Sequence, residues 1–182
     1  MKSSGKYFQW QHQRGYTLME LIVVILMLGI VGSMTLRLMS ATMETYEMVM
    51  MRSQIVNDGR LFASRFYREV KPLPFSDSLL VAGNKSLQWK TQSGRIYTYT
   101  ITGSQVNRQV NSGLDQMLVS HVDYNNSAFT YYDSTNTELS SVPLNSSDRM
   151  RVRLIGATMR FSSGSETFTS QQRIYLANLR RN

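Results

Sequence analysis

Residues 16–36 carry a single charge, Glu20, in an otherwise apolar run. As a helix this stretch spans roughly 30 Å, the hydrocarbon thickness of a bilayer. It reads as a membrane-crossing segment. An ordinary anchor does not explain the carboxylate, because an ionised group inside a spanning segment costs on the order of 2.5 to 3.5 kcal/mol. Glu20 therefore calls for a positively charged partner. The plainer reading is an interfacial side chain that snorkels to the headgroups beside Arg14. Lys2, Lys6 and Arg14 precede the run without an acid among them, a bias that favours a cytoplasmic N-terminus and places the chain after Leu36 on the far side.

The segment 15–22, Gly-Tyr-Thr-Leu-Met-Glu-Leu-Ile, follows that basic leader directly. It resembles the signal of type IV prepilins and pseudopilins in five coincident features. These are the basic leader, a glycine at the cut, an aromatic first mature residue, a glutamate as fifth mature residue, and an immediate apolar run. The resemblance implies cleavage between Gly15 and Tyr16 by a prepilin peptidase, N-methylation of Tyr16, and a role for Glu20 in assembly with other pilins or pseudopilins. Tyr16 stands where phenylalanine is commoner in the family. A secretory signal peptide is the nearest rival, but it runs from charge to apolar core to cleavage site, whereas here a glutamate abuts the start of the core.

Between Arg37 and Val70 there is no proline and one glycine, Gly59. Val49, Val56, Ala63 and Val70 recur every seven residues, with Ile55, Phe62 and Phe66 beside them, which predicts an amphipathic continuation of the same helix. Its polar face is expected to carry Asp58, Arg65 and Glu69, the last two as a pair one turn apart. Pro72 and Pro74 end it, and Lys71 suits its carboxyl end.

The remainder reads as strands and turns. Strands are expected over residues 79–82, 86–91, 95–101, 105–110, 126–132, 137–142 and around 168–176, separated by Gly-Asn, Ser-Gly and Gly-Ser turns. Residues 149–154 alternate strictly, predicting a strand with Met150, Val152 and Leu154 on one face and Arg149, Arg151 and Arg153 on the other. Residues 113–122 fit a short helix or a strand equally. The fold class expected is α+β: a long N-terminal helix, transmembrane then amphipathic, packed on an antiparallel β-sheet head, which is the pilin fold that the resemblance implies. The divisions are a leader at 1–15, a transmembrane half at 16–36, an amphipathic half at 37–71, and a β-rich periplasmic head at 72–182.

Charge and residue inventory limit the function classes. The formal net charge of +8 includes Lys2, Lys6 and Arg14, so a chain cut after Gly15 carries +5. Cysteine is absent, which excludes disulfides, thiolate metal sites and a cysteine nucleophile. The histidines are His12 and His121, so no histidine pair stands in the head, and no nucleophile elbow or phosphate loop occurs. Residues 133–138 hold oxygen ligands suited to calcium but lack the glycine and spacing of a calcium hand, so a hairpin turn explains them better. No enzyme, metal or cofactor is expected. Arg149, Arg151 and Arg153 are a candidate binding surface, with Arg160, Arg173, Arg180 and Arg181 near them in sequence and a solvated sheet face as the plainer reading. Nucleic acid as its ligand has no support from aromatic placement.

Shorter similarities point to a subclass. Residues 57–60 leading into 66–70, residues 129–133, and residues 176–180 look like segments of PilW-like minor pilins and J-type minor pseudopilins of type II secretion. The resemblance implies a minor, structural subunit of a type IV pilus or secretion pseudopilus, single-pass in the inner membrane with a periplasmic C-terminus, that takes part in filament assembly or initiation. The alternative from another class is an unprocessed bitopic membrane protein with a periplasmic binding domain.

Overall fold

The computed structural model describes residues 17–73 and 78–176. One helix, α1 (Leu18–Val70), precedes an all-antiparallel β region. Its end falls where the prolines were expected to stop it, the Lys71 and Leu73 amides closing on Tyr67 O and Val70 O. Two compact units divide the chain between Tyr46 and Glu47.

In the first unit every described side chain is exposed. The hydroxyls of Ser33 and Thr35 donate to the carbonyls of Ile30 and Val31, both at 2.8 Å. Thr42 and Thr45 bond in the same way to Leu38 and Ala41. Polar side chains on the apolar helix thus find acceptors on the helix itself, which is what a segment in lipid requires. The helix is long and apolar enough to cross a membrane.

The second unit begins on α1 and contains both sheets. Strands β1 (Leu79–Ala82), β2 (Ser86–Lys90), β3 (Ile96–Thr102), β4 (Gln105–Val110) and β5 (Gln116–Val119) form a meander in sequential order. Strands β6 (Ala128–Tyr132), β7 (Leu154–Ser163) and β8 (Glu166–Tyr175) form a second sheet. A bridge between Val122 and Phe161, and the Phe129 and Leu144 amides donating to Asn84 O and Ala82 O, tie the sheets together. Within the ambiguous stretch 113–122, residues 116–119 form a strand, β5.

Along α1 the buried residues are Ile55, Gly59, Phe62, Phe66 and Val70. Phe66 stacks on Phe129 of the second sheet at 5.9 Å and meets Tyr99 of the first edge-on at 6.0 Å. One helical face therefore closes both sheets. The buried row is spaced four, three, four and four residues. The expected row is displaced by this: Val49 is exposed, while Val56 and Ala63 are only half-buried. An ideal Cβ on Gly59 would stand 2.5 Å from Phe168 Cε1, so the bare backbone is what lets β8 approach α1 there.

Two expected strands fail. Residues 137–142 make only a single bridge, Tyr132 to Glu138. Residues 149–154 are not an alternating strand. A short helix, α2 (Ser146–Arg151), takes the first half of them, with the Asn145 side chain accepting from the Asp148 amide as N-cap, and β7 begins only at Leu154. The cap fixes the local backbone, which the hydrophobic alternation alone does not reveal.

Candidate functional site

Gly15 and Tyr16 lie outside the described residues, as do Arg180 and Arg181. The site begins at Thr17. Its carbonyl accepts from the amides of Glu20 at 3.0 Å and Leu21 at 3.2 Å, and its hydroxyl accepts from the Glu20 amide at 3.3 Å. Thr17 is thus the N-cap of α1 and Glu20 its third helical residue, in the Thr-x-x-Glu order of a capping box. The sequence shows that order, and it gives Glu20 a local role as an acid in the first turn, separate from any partner for its charge. The carboxylate is exposed, like every described residue from Thr17 to Gln54. Among the described residues none covers the apolar start of the helix.

A family model described as the prokaryotic N-terminal methylation motif matches residues 10–36. The N-terminal segment is type IV pilin-like. The match takes in Gly15, Tyr16, Thr17 and Glu20 together with the apolar run, and no curated relative matches the chain. Pilin-like proteins are in general structural, and the apolar helix behind the motif fits membrane anchoring and assembly with other pilins after prepilin-peptidase processing.

The arginines of the candidate binding surface sit at the end of α2 and are used locally. Arg149 donates to Ser146 Oγ at 3.3 Å. Arg151 meets Asp133 Oδ2 and Asp148 Oδ1, each at 3.4 Å. Arg153 donates to the carbonyls of Met150 and Val152 at 2.8 and 3.1 Å, closing the helix end. Arg160 lies 3.8 Å from Asp123 and Arg173 lies over the Tyr132 ring. Each of these cations thus has a partner within the head.

The segment 133–138 is a turn whose acid is already occupied. Asp133 Oδ1 accepts from the Thr135 hydroxyl at 2.7 Å and from the Thr135 and Thr137 amides at 2.9 and 3.0 Å. Those bonds, the Thr135 hydroxyl first, hold its carboxyl below the ordinary carboxylate range.

Two acids expected on the outer face of α1 turn inward instead. Asp58 Oδ2 accepts from Ser120 Oγ at 3.1 Å and lies 3.0 Å from His121 Nδ1, with His121 in the left-handed region at φ 58°. A serine, a histidine and an aspartate thus meet, but a nucleophilic relay needs serine and acid on opposite ring nitrogens. Here Ser120 Oγ also lies on Nδ1, at 2.9 Å, so the trio pins α1 to the chain after β5. Glu69 accepts from Tyr99 and Arg108, and the expected Arg65 to Glu69 pair is replaced by this contact.

Proposed function

We propose that the chain is a minor pilin or pseudopilin, a structural subunit of a type IV pilus or type II secretion pseudopilus that acts in filament assembly or initiation. The observation that carries this reading is the unpartnered first part of α1. Its apolar surface continues past the membrane-length run, with Met39, Met43, Tyr46, Met48, Val49 and Met50 all exposed. Contiguous apolar surface of this kind marks an interaction site. Lipid suits residues 16–36, and neighbouring subunits suit the rest.

In this proposal a peptidase removes the leader, residues 1–15, after Gly15, and Tyr16 becomes the methylated N-terminus. Residues 16–36 hold the subunit in the inner membrane, residues 37–71 continue the helix, and residues 72–182 form the head on the periplasmic side. The new amine and Glu20 stand at one helix start, where they cannot align well with each other, whereas the amine of an axially displaced neighbour reaches the carboxylate. Satisfying that charge lowers the free energy of leaving lipid for the filament. Arg149, Arg151 and Arg153 remain a secondary candidate surface here, with Arg151 the most exposed of the three and each in contact within the head.

The test is Glu20→Gln. Glutamine keeps the third position of the capping box while removing the charge. The variant should be cleaved and inserted at normal levels yet be depleted from sheared filaments and from cross-links to other pilins. Incorporation at the unmodified level would contradict the pairing role.

A further inference from the structure

Because the head captures Asp58 and Glu69, the outward face of the final turns of α1 is left with exposed Arg60, Arg68 and Lys71 and no exposed acid. Lys71 Nζ donates to Tyr67 Oη at 2.6 Å and lies over its ring, which positions the ammonium without neutralising it. Earlier on the same helix Glu44 and Glu47 are exposed. Among the described residues none of Glu44, Glu47, Arg68 and Lys71 joins an ion pair.

The two groups share one pattern. Glu44 and Glu47 follow Ser40 by four and seven residues, and Arg68 and Lys71 follow Ser64 by four and seven. On a helix, positions offset by three and four lie on one face. Two parallel copies of α1 therefore present rows of opposite charge with identical spacing.

We propose that the Arg68 and Lys71 face of α1 docks the Glu44 and Glu47 face of a second copy of this chain. This rests on the filament-subunit reading above and asks for at least two adjacent copies. Exposed ion pairs add little affinity. What two matched pairs supply is register: sliding one helix along the other removes both attractions together and brings Arg68 toward uncompensated cations.

The chain has no cysteine, so introduced thiols report this contact cleanly. Opposing Ser40 to Ser64 takes an axial stagger of about 36 Å, which the filament allows and a shared bilayer depth does not. In sheared filaments of the full-length protein, Ser40→Cys with Ser64→Cys should therefore give a disulfide-linked dimer on mild oxidation. Ser40→Cys with Ser53→Cys, on the same helix out of register, should not. Adding Arg68→Glu should lower the dimer yield roughly fivefold, and Glu44→Arg in that background should restore it. About 1 M salt, with a screening length of about 3 Å, should also lower it.

A dimer yield indifferent to Arg68→Glu and to salt would overturn the proposal. So would the absence of the dimer while the chain is present in sheared filaments, a result that leaves the subunit reading intact. Absence from filaments together with absence of the dimer overturns both.

Discussion

Glu69, on the last turn of α1, accepts the Tyr99 hydroxyl of β3 at 2.8 Å. Arg108 of β4 closes on the same carboxylate from Nε at 3.0 Å and from Nη2 at 2.9 Å, with both charged side chains about one-sixth exposed. Helix and sheet are thus locked by one acid serving two donors. Glu69→Ala leaves Arg108 half-buried and unpaired, and should lower stability by about 2 to 3 kcal/mol, against about 1 kcal/mol for Tyr99→Phe. Denaturant unfolding of the two variants checks the order; equal losses would contradict it.

Alkaline pH should unfold the head. Burial, then the charge of Glu69, pushes the Tyr99 hydroxyl far up, and burial alone does the same for Tyr131, which donates to Gly83 O. A raised pKa in the folded state means that the contribution is complete below the ordinary tyrosine value and is lost as pH rises above it. Above about pH 10 each of the two should cost about 1.4 kcal/mol per pH unit. Tyr131→Phe should flatten the decline, measured as melting temperature between pH 9 and 11.

Gly59→Ala tests the approach of β8 to α1. Alanine favours a helix by about 1 kcal/mol, but its Cβ would stand 2.5 Å from Phe168 Cε1 and 3.3 Å from Phe161 Cε2. The overpacking should win, giving net destabilisation of about 1 to 2 kcal/mol. Phe168→Leu in the same chain should recover part of the loss. A stabilised Gly59→Ala would show that the rings yield freely.

The second unit should fold without the apolar start of α1. A chain of residues 42–182 retains the buried row from Ile55 to Val70 and both sheets. It should be soluble, show helix and strand together by circular dichroism, and melt in one cooperative transition. Non-cooperative melting would mean that the core needs the removed helix.

The helix limits and most strands are legible in the sequence because they depend on local signals. Pro72 stops α1, and the turns at Gly83-Asn84, Ser93-Gly94 and Gly103-Ser104 separate β1 to β4. The long β7 is not legible, because its burial is nearly continuous from Leu154 to Ala157 and the alternation of residues 149–154 falsely extends it toward α2. The inward turn of Asp58 and Glu69 is set by partners on other elements, Ser120, His121, Tyr99 and Arg108, and no local pattern announces them. Of the candidate site, the motif is legible directly, and the order Thr-Leu-Met-Glu carries the capping by Thr17.

Intact mass of the protein extracted from membranes of cells with an active prepilin peptidase tests the central claim most directly. The account predicts a chain that begins at Tyr16 and is heavier by one methyl group than residues 16–182, and it predicts that Gly15→Ala leaves the chain uncut but inserted. Recovery of only the uncut chain from those cells would contradict it.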